Sequence, residues 1–193
     1  MKAFPAIICL GLITGASAMA EDKPLFDFND PQAAACWLAI HDVVMGGAST
    51  GGMEATEEGT LLFAGNVSLE NNGGFASIRS LPRELNLGAY SGIIIRLRGD
   101  GKRYKLNLKT DSSFDGIVYR VHFETNEGEW QALRFPFSEF RASFRGRTVP
   151  DAPPLDPARI TSVGLLISDK QEGPFRLEMA WIGAYSERGL EEH

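Results

Sequence analysis

Apolar and polar residues alternate with a period of two through most of this chain, and that alternation constrains the fold more than any other feature. Ile93, Ile95 and Leu97 fall on one side of their segment, Ile94, Arg96 and Arg98 on the other. Tyr104, Leu106 and Leu108 likewise oppose Lys105, Asn107 and Lys109, and Ile117, Tyr119, Val121 and Phe123 oppose Val118, Arg120, His122 and Glu124. Side chains on an extended strand point alternately to its two faces, so each segment predicts a strand buried on one face and solvated on the other. Val163, Leu165 and Ile167, then Phe175, Leu177, Met179 and Trp181, continue the pattern. Short half-buried strands with little helical periodicity predict an all-β antiparallel sandwich or jelly roll. A short helical turn is expected over 32–37, where Asp30 can cap and Pro31 can take the first helical position.

Punctuation falls where such strands need it. Asn72-Gly73-Gly74, Asp100-Gly101 and Asn126-Glu127-Gly128 all tolerate positive φ, and Asp100-Gly101 predicts a two-residue hairpin. The proline-rich stretch from Val149 to Pro157 precedes only two further strands, too few for a second core, so it reads as a long loop across the sandwich. Lys2, an apolar run from Ala3 to Ala16 and small residues before Glu21 read as a cleaved export signal over residues 1–20. This predicts a single β-sandwich domain over 21–193, secreted across the inner membrane into the periplasm and not stably inserted in it. Beyond that segment Cys36 is the only cysteine, so no internal disulfide is available, and beside Trp37 it reads as a small buried hydrophobe.

Several chemistries are excluded. The three histidines, His41, His122 and His193, have no His-x-x-x-His or Cys-x-x-Cys company, so no metal ligand set and no cofactor is indicated. There is no Gly-x-Ser-x-Gly elbow, and the glycines after Gly46 lack the Gly-Lys-Ser/Thr ending of a phosphate loop. Asp111 and Asp115 read as solvated turn residues rather than calcium ligands. A net charge of −6 and a pI near 5.1 argue against a general nucleic-acid binder.

Five segments carry a resemblance. They are Asp42 to Ser49 following Trp37, Phe63 to Ser77, Arg98 to Tyr104, Phe144 to Arg147, and Gly173 to Leu177. In this order they resemble the complex I intermediate-associated protein family, whose mitochondrial members assist assembly of NADH:ubiquinone oxidoreductase. The resemblance runs from about Phe26 to Tyr185. It implies a jelly-roll β-sandwich of the galactose-binding type and a non-catalytic accessory role with a protein partner, a respiratory-complex intermediate. The alternative is a carbohydrate-binding envelope module, for which Trp130, Asn72 and Arg145 are the available stacking and planar polar side chains.

Candidate binding residues follow. Asp42, Met45, Gly46, Gly47 and Ser49 form a loop that only paired glycines allow, braced by the acid and the hydroxyl. Asn72, Gly73, Gly74 and Phe75 make a second rim loop, and Arg98 and Asp100 a third. Arg145, between an aromatic residue and a glycine, suits bidentate recognition of a carboxylate. If the strands at 93–98, 103–109 and 117–124 are neighbours, Arg96, Arg98, Lys105, Asn107, Lys109, Arg120 and His122 share one basic face for an acidic partner. Gly46→Val or Gly47→Val is expected to lower the melting temperature or partner binding more than Ala48→Val, because only the first two need unusual backbone angles.

Overall fold

β13 (Gly173–Tyr185) is the longest strand and the one on which the architecture is assembled. One of its edges pairs with β4 (Leu61–Val67) and then with β1 (Lys23–Asp27); the other pairs with β6 (Gly92–Arg98). The computed structural model describes residues 22–41, 49–70, 73–113 and 115–187. Among these, β3 (Thr50–Ala55) and β9 (Trp130–Pro136) complete a six-stranded antiparallel sheet in the order β3-β4-β13-β6-β9, with β1 beside β13. A seven-stranded antiparallel sheet faces it. Its order is β11 (Arg147–Thr148), β10 (Arg141–Phe144), β8 (Val118–Glu124), β7 (Arg103–Lys109), β12 (Ser162–Ile167), β5 (Ala76–Ser80) and β2 (Trp37–His41).

The core lies between the sheets and is filled by the alternating residues read from the sequence. Phe63, Ile93, Ile95, Leu97, Leu177 and Met179 meet Ile78, Leu106, Leu108, Val163 and Leu165, all fully or almost fully buried. Apolar area removed from water on both inner faces drives the stacking. The expected helical turn is α1 (Pro31–Ala35), with the Asp30 carboxylate accepting from Gln32 N at 2.9 Å. It delivers Trp37 into an edge-on aromatic cluster with Phe26 and Phe28, ring centroids 5.2 and 5.9 Å away.

Two expectations are corrected. Asp100-Gly101 does not make a hairpin: β6 belongs to the six-stranded sheet and β7 to the seven-stranded one, so the turn carries the chain from layer to layer. Gly101 does take φ +81°, but that chemistry sets a tight turn, not the partner of the strand that follows. Asp100 then acts as a clamp. Its carboxylate accepts from Lys102 N, from the Tyr104 hydroxyl at 2.9 Å and from Arg176 N at 2.9 Å, tying the turn to β13. Burial, followed by the charge of Asp100, pushes the Tyr104 phenol far up, so it remains a donor. The second correction is Trp181. A bulge between Met179 and Trp181 moves it to the outer face opposite Arg96, and Ile182 takes the core position.

Gly65 marks the tightest strand contact. A Cβ there would lie 2.2 Å from Thr50 O and 2.5 Å from Gly51 Cα, both backbone atoms, whereas one on Gly52 would meet nothing within 4 Å. Gly65→Ala is therefore expected to cost about 2–4 kcal/mol by forcing β3 off β4, and Gly52→Ala less than about 0.5 kcal/mol. Urea denaturation of both variants checks the contrast.

Candidate partner-binding face

The outer face of the seven-stranded sheet collects positive charge through strand register. Cross-strand neighbours place Arg141, Arg120, Asn107, Gly164 and Arg79 in one row, ending at Leu38 on β2. The adjacent row runs His122, Lys105, Leu166, Ser77 and Ile40, and Lys109 lies beyond Asn107 opposite Ser162. Arg120 faces Arg141 directly, and His122 faces Lys105. Like charges directly opposite weaken a sheet, so the Arg120–Arg141 pair is not one that strand pairing favours. Gly164 keeps the floor low: a Cβ there would sit 2.9 Å from Ile78 O and 3.4 Å from Arg79 Cβ.

The cations are held, not merely displayed. Lys105 and Lys109 are only 7% and 3% exposed although they belong to an outer face. Lys105 Nζ donates to Asp169 at 2.5 Å and to Ser168 Oγ at 2.8 Å; Lys109 Nζ donates to Ser113 O and lies 3.6 Å from Asp111. Arg120 Nε donates to Asn107 Oδ1 at 3.2 Å. Burial pushes the Lys109 ammonium and the Arg120 guanidinium down, with Asp111 and Asp169 respectively opposing it. Burial, then Lys105, lowers His122 as well. Lys105, Arg120, His122, Arg141, Ser143 and Asp169 line a groove of ≈ 390 Å³. Among the described residues no Trp, Tyr or Phe lines it.

Of the residues singled out from sequence, the structure gathers some and separates others. Asp42, Met45, Gly46, Gly47 and Asn72 lie outside the described residues. Ser49 is buried and pins two loops together, donating to Ser68 O and accepting from Ser68 N, both at 3.1 Å. Gly73 and Gly74, the latter at φ +125°, lead into the half-buried Phe75 just before β5. By register these residues and Asp100 share one rim with the turn between β12 and β13. Arg145 does not join them. It sits at the opposite end, in the two-residue turn between β10 and β11, at φ +46° before Gly146 at +79°, and its guanidinium pairs with Asp115.

The single basic face is corrected too, because β6 is not a neighbour of β7. Arg96 and Arg98 lie on the outer face of the other sheet, flanking Trp130 of β9 with guanidinium carbons 5.6 and 4.9 Å from the ring. Arg98 also donates to Glu178 at 2.8 Å, and Arg176 and Thr60 reach the same buried carboxylate at 3.3 and 2.8 Å. On that face Arg98 and Arg176 thus share one buried acid. Of the neighbouring aromatics, Phe135, Phe137 and Phe140 are buried and Phe144 is exposed.

Sequence reasoning did not single out Arg79, Asp169 or Glu178. Arg79 was available from the alternation of Ala76 to Ser80; nothing local revealed that Glu178 would be buried or that Asp169 would reach Lys105, since both depend on pairing across the sheet. Among the described residues no group of three His, Cys, Asp or Glu side chains could hold a metal ion, and no helix is long and apolar enough to cross a membrane.

Two stacked antiparallel sheets with cross-layer turns and a polar outer groove define a jelly-roll β-sandwich of the galactose-binding-like class. A family 11 carbohydrate-binding module from Clostridium thermocellum, solved with a mixed-linked tetrasaccharide, superposes with a TM-score of 0.65 over 86% of this chain and 97% of that one, at 16% identity. That likeness is one of fold. The chain belongs to the complex I intermediate-associated protein 30 (CIA30) family, whose model matches residues 26–179. The mitochondrial complex I intermediate-associated protein 30 of Drosophila melanogaster is 30% identical over 185 residues, covering 84% of this chain and 62% of the relative. That of Mus musculus is 27% identical, covering 88% and 58%. The chain thus spans less than two thirds of the length of these relatives. Both are named as mitochondrial proteins, which overturns the expectation of a secreted, periplasmic protein.

Glu178 and Asp169 set the acid limit of this arrangement. Burial alone would raise both carboxyls, but for Glu178 the bonds from Arg98 and Thr60, and for Asp169 the Lys105 ammonium, outweigh it and hold them below the ordinary range. A carboxyl whose folded pKa is lowered stabilises the fold above its unfolded value, about 4, and that contribution is lost as pH falls through the folded value. Urea unfolding should show stability dropping steeply below about pH 4, with the drop flattened in Glu178→Gln. An unchanged acid limb in that variant would remove Glu178 from the account.

Proposed function

We propose that this protein is a non-catalytic accessory factor that engages an intermediate of the respiratory NADH:ubiquinone oxidoreductase through the cationic face of its seven-stranded sheet and the adjoining rim. Family membership supports the respiratory partner, since the named relatives are complex I intermediate-associated proteins. One observation carries the face: Arg79, Lys105, Lys109, Arg120, His122 and Arg141 converge on one surface of a chain whose net charge is −6. A concentrated positive field on an acidic body steers encounter with an acidic surface and disfavours neutral or basic ones. Its action is holding, covering charged surface on the intermediate until the proper subunit arrives. Residues 21–193 act in this reading as one domain.

Among the described residues the groove offers no Trp, Tyr or Phe ring for stacking, and Trp130, on the opposite sheet, is flanked by two arginines, which speaks against sugar binding as the main role. Affinity capture from gently solubilised respiratory membranes should recover complex I subunits with the native protein. The double substitution Arg120→Glu and Arg141→Glu should reduce recovery at least tenfold, and raised salt should weaken capture by the native protein. Equal capture by the charge-reversed protein would remove the face from the mechanism.

A further inference from the structure

The turn between β12 and β13 carries the least comfortable backbone among the described residues. Asp169 and Lys170 sit consecutively at φ +65° and +57°, in the left-handed region that residues other than glycine rarely adopt. Gln171 holds the turn from the side, donating to Ser168 O at 3.0 Å and to Arg103 O at 2.7 Å and accepting from Arg103 N. The outcome of this braced turn is a single placement: the Asp169 carboxylate reaches over the ends of the strands and accepts from Lys105 Nζ. Asp169 also interacts electrostatically with Arg120 and with the His122 imidazole, so one carboxylate serves as the counter-ion for two cations of the groove, Lys105 and Arg120.

We propose that Asp169 is a built-in occupant of the groove, standing where a carboxylate of the partner docks, and that an acidic segment of the partner binds by displacing it from Lys105. The partner chemistry follows from the cations. Arg120 spends only its Nε on Asn107, and its terminal nitrogens have no hydrogen-bond partner among the described residues, leaving a fork suited to a carboxylate. Lys105 and Arg120 belong to adjacent rows of the sheet, so they match carboxylates carried on an extended chain rather than one compact anion. Displacement lets the turn relax, which offsets part of the lost Lys105–Asp169 contact. While nothing is docked, Asp169 keeps the buried Lys105 ammonium from standing unpaired. Weak anions are thereby excluded, and only a ligand with several carboxylates gains enough to replace the resident one.

This rests on the docking face proposed above but not on the identity of the respiratory partner, and a purified-protein experiment separates the two. A short fluorescent polyglutamate peptide is titrated against the native protein, Asp169→Asn and Arg120→Gln, with anisotropy as the readout and a neutral polyglutamine peptide alongside. The Asn variant keeps the side-chain shape and removes the competing charge, so it should bind polyglutamate about tenfold more tightly than the native protein, with stronger salt dependence. Arg120→Gln should bind it at least tenfold more weakly. Melting curves establish that both variants are folded; if Asp169→Asn melts far below the native protein, Asp169→Ser gives the same comparison. Binding of polyglutamate by Asp169→Asn no tighter than by the native protein, or equal binding of polyglutamine, would overturn the proposal. Polyglutamate binding as described, with no complex I subunit captured from membranes, would leave this inference standing and sink the respiratory one.

Discussion

Everything in this sandwich is referred to β13, because its backbone is hydrogen-bonded along both edges by three strands that come from distant parts of the chain. β1, β4 and β6 all lock onto it, and their registers fix the inner face of the six-stranded sheet. A strand paired on both sides cannot slip by one residue without turning every core side chain to solvent. The bulge after Met179 is tolerated for the same reason, since pairing resumes at Trp181 on the β6 side and the core face is recovered at Ile182. Polar groups reinforce the strand at two points. Arg176 N is tied to Asp100, and Glu178 gathers Arg98, Arg176 and Thr60. β13 also ends the strained turn, so the rigidity of the strand is what lets Asp169 be held at an unfavourable φ.

The two outer faces use the same side-chain types to opposite ends. On the six-stranded sheet Arg96 and Arg98 lie against Trp130, Arg134 against Tyr185, and Arg98 and Arg176 share the Glu178 carboxylate. Rings and a buried acid absorb the charge locally. On the seven-stranded sheet no Trp, Tyr or Phe among the described residues lies in the groove, and Asp169 is the carboxylate nearest Lys105, Arg120 and the His122 imidazole. Charge absorbed at contact distance contributes to stability; charge left over projects into solvent and acts on a partner within about a Debye length, roughly 8 Å at physiological salt. The difference lies in the neighbours, not in the number of arginines.

How much of this was legible in the chain follows from what alternation encodes. Period two states which residues share a face of one strand, and the core members Ile93, Ile95, Leu97, Tyr104, Leu106, Leu108, Val163, Leu165 and Ile167 are buried as that rule requires. It does not state which strands are neighbours. Arg96 and Arg98 were therefore grouped with Lys105 and Arg120 across a turn that in fact changes layers. Asp100-Gly101 was read correctly as a tight turn and wrongly as a hairpin, because the residue that decides, Arg176, is far along the chain and donates to Asp100 from β13. The helical turn was readable because a cap is a local hydrogen bond. Arg145-Gly146 is the two-residue hairpin turn between β10 and β11, and one terminal nitrogen of Arg145 pairs with Asp115 there, away from the rim loops.

The family motifs gain a physical reading from the same geometry. Gly65 is small because β3 backbone lies against it, Asp100 is acidic because three donors converge on it, and Ser49 is a hydroxyl because Ser68 presents both a donor and an acceptor. Each of these residues is spent inside the fold. The residues with capacity left for another molecule, Arg120, Arg141 and His122, stand on strands outside the glycine-rich segments that carry the resemblance. The segments that carry the resemblance are thus the ones that hold the sandwich together, and the face proposed to dock a partner lies on the strands between them.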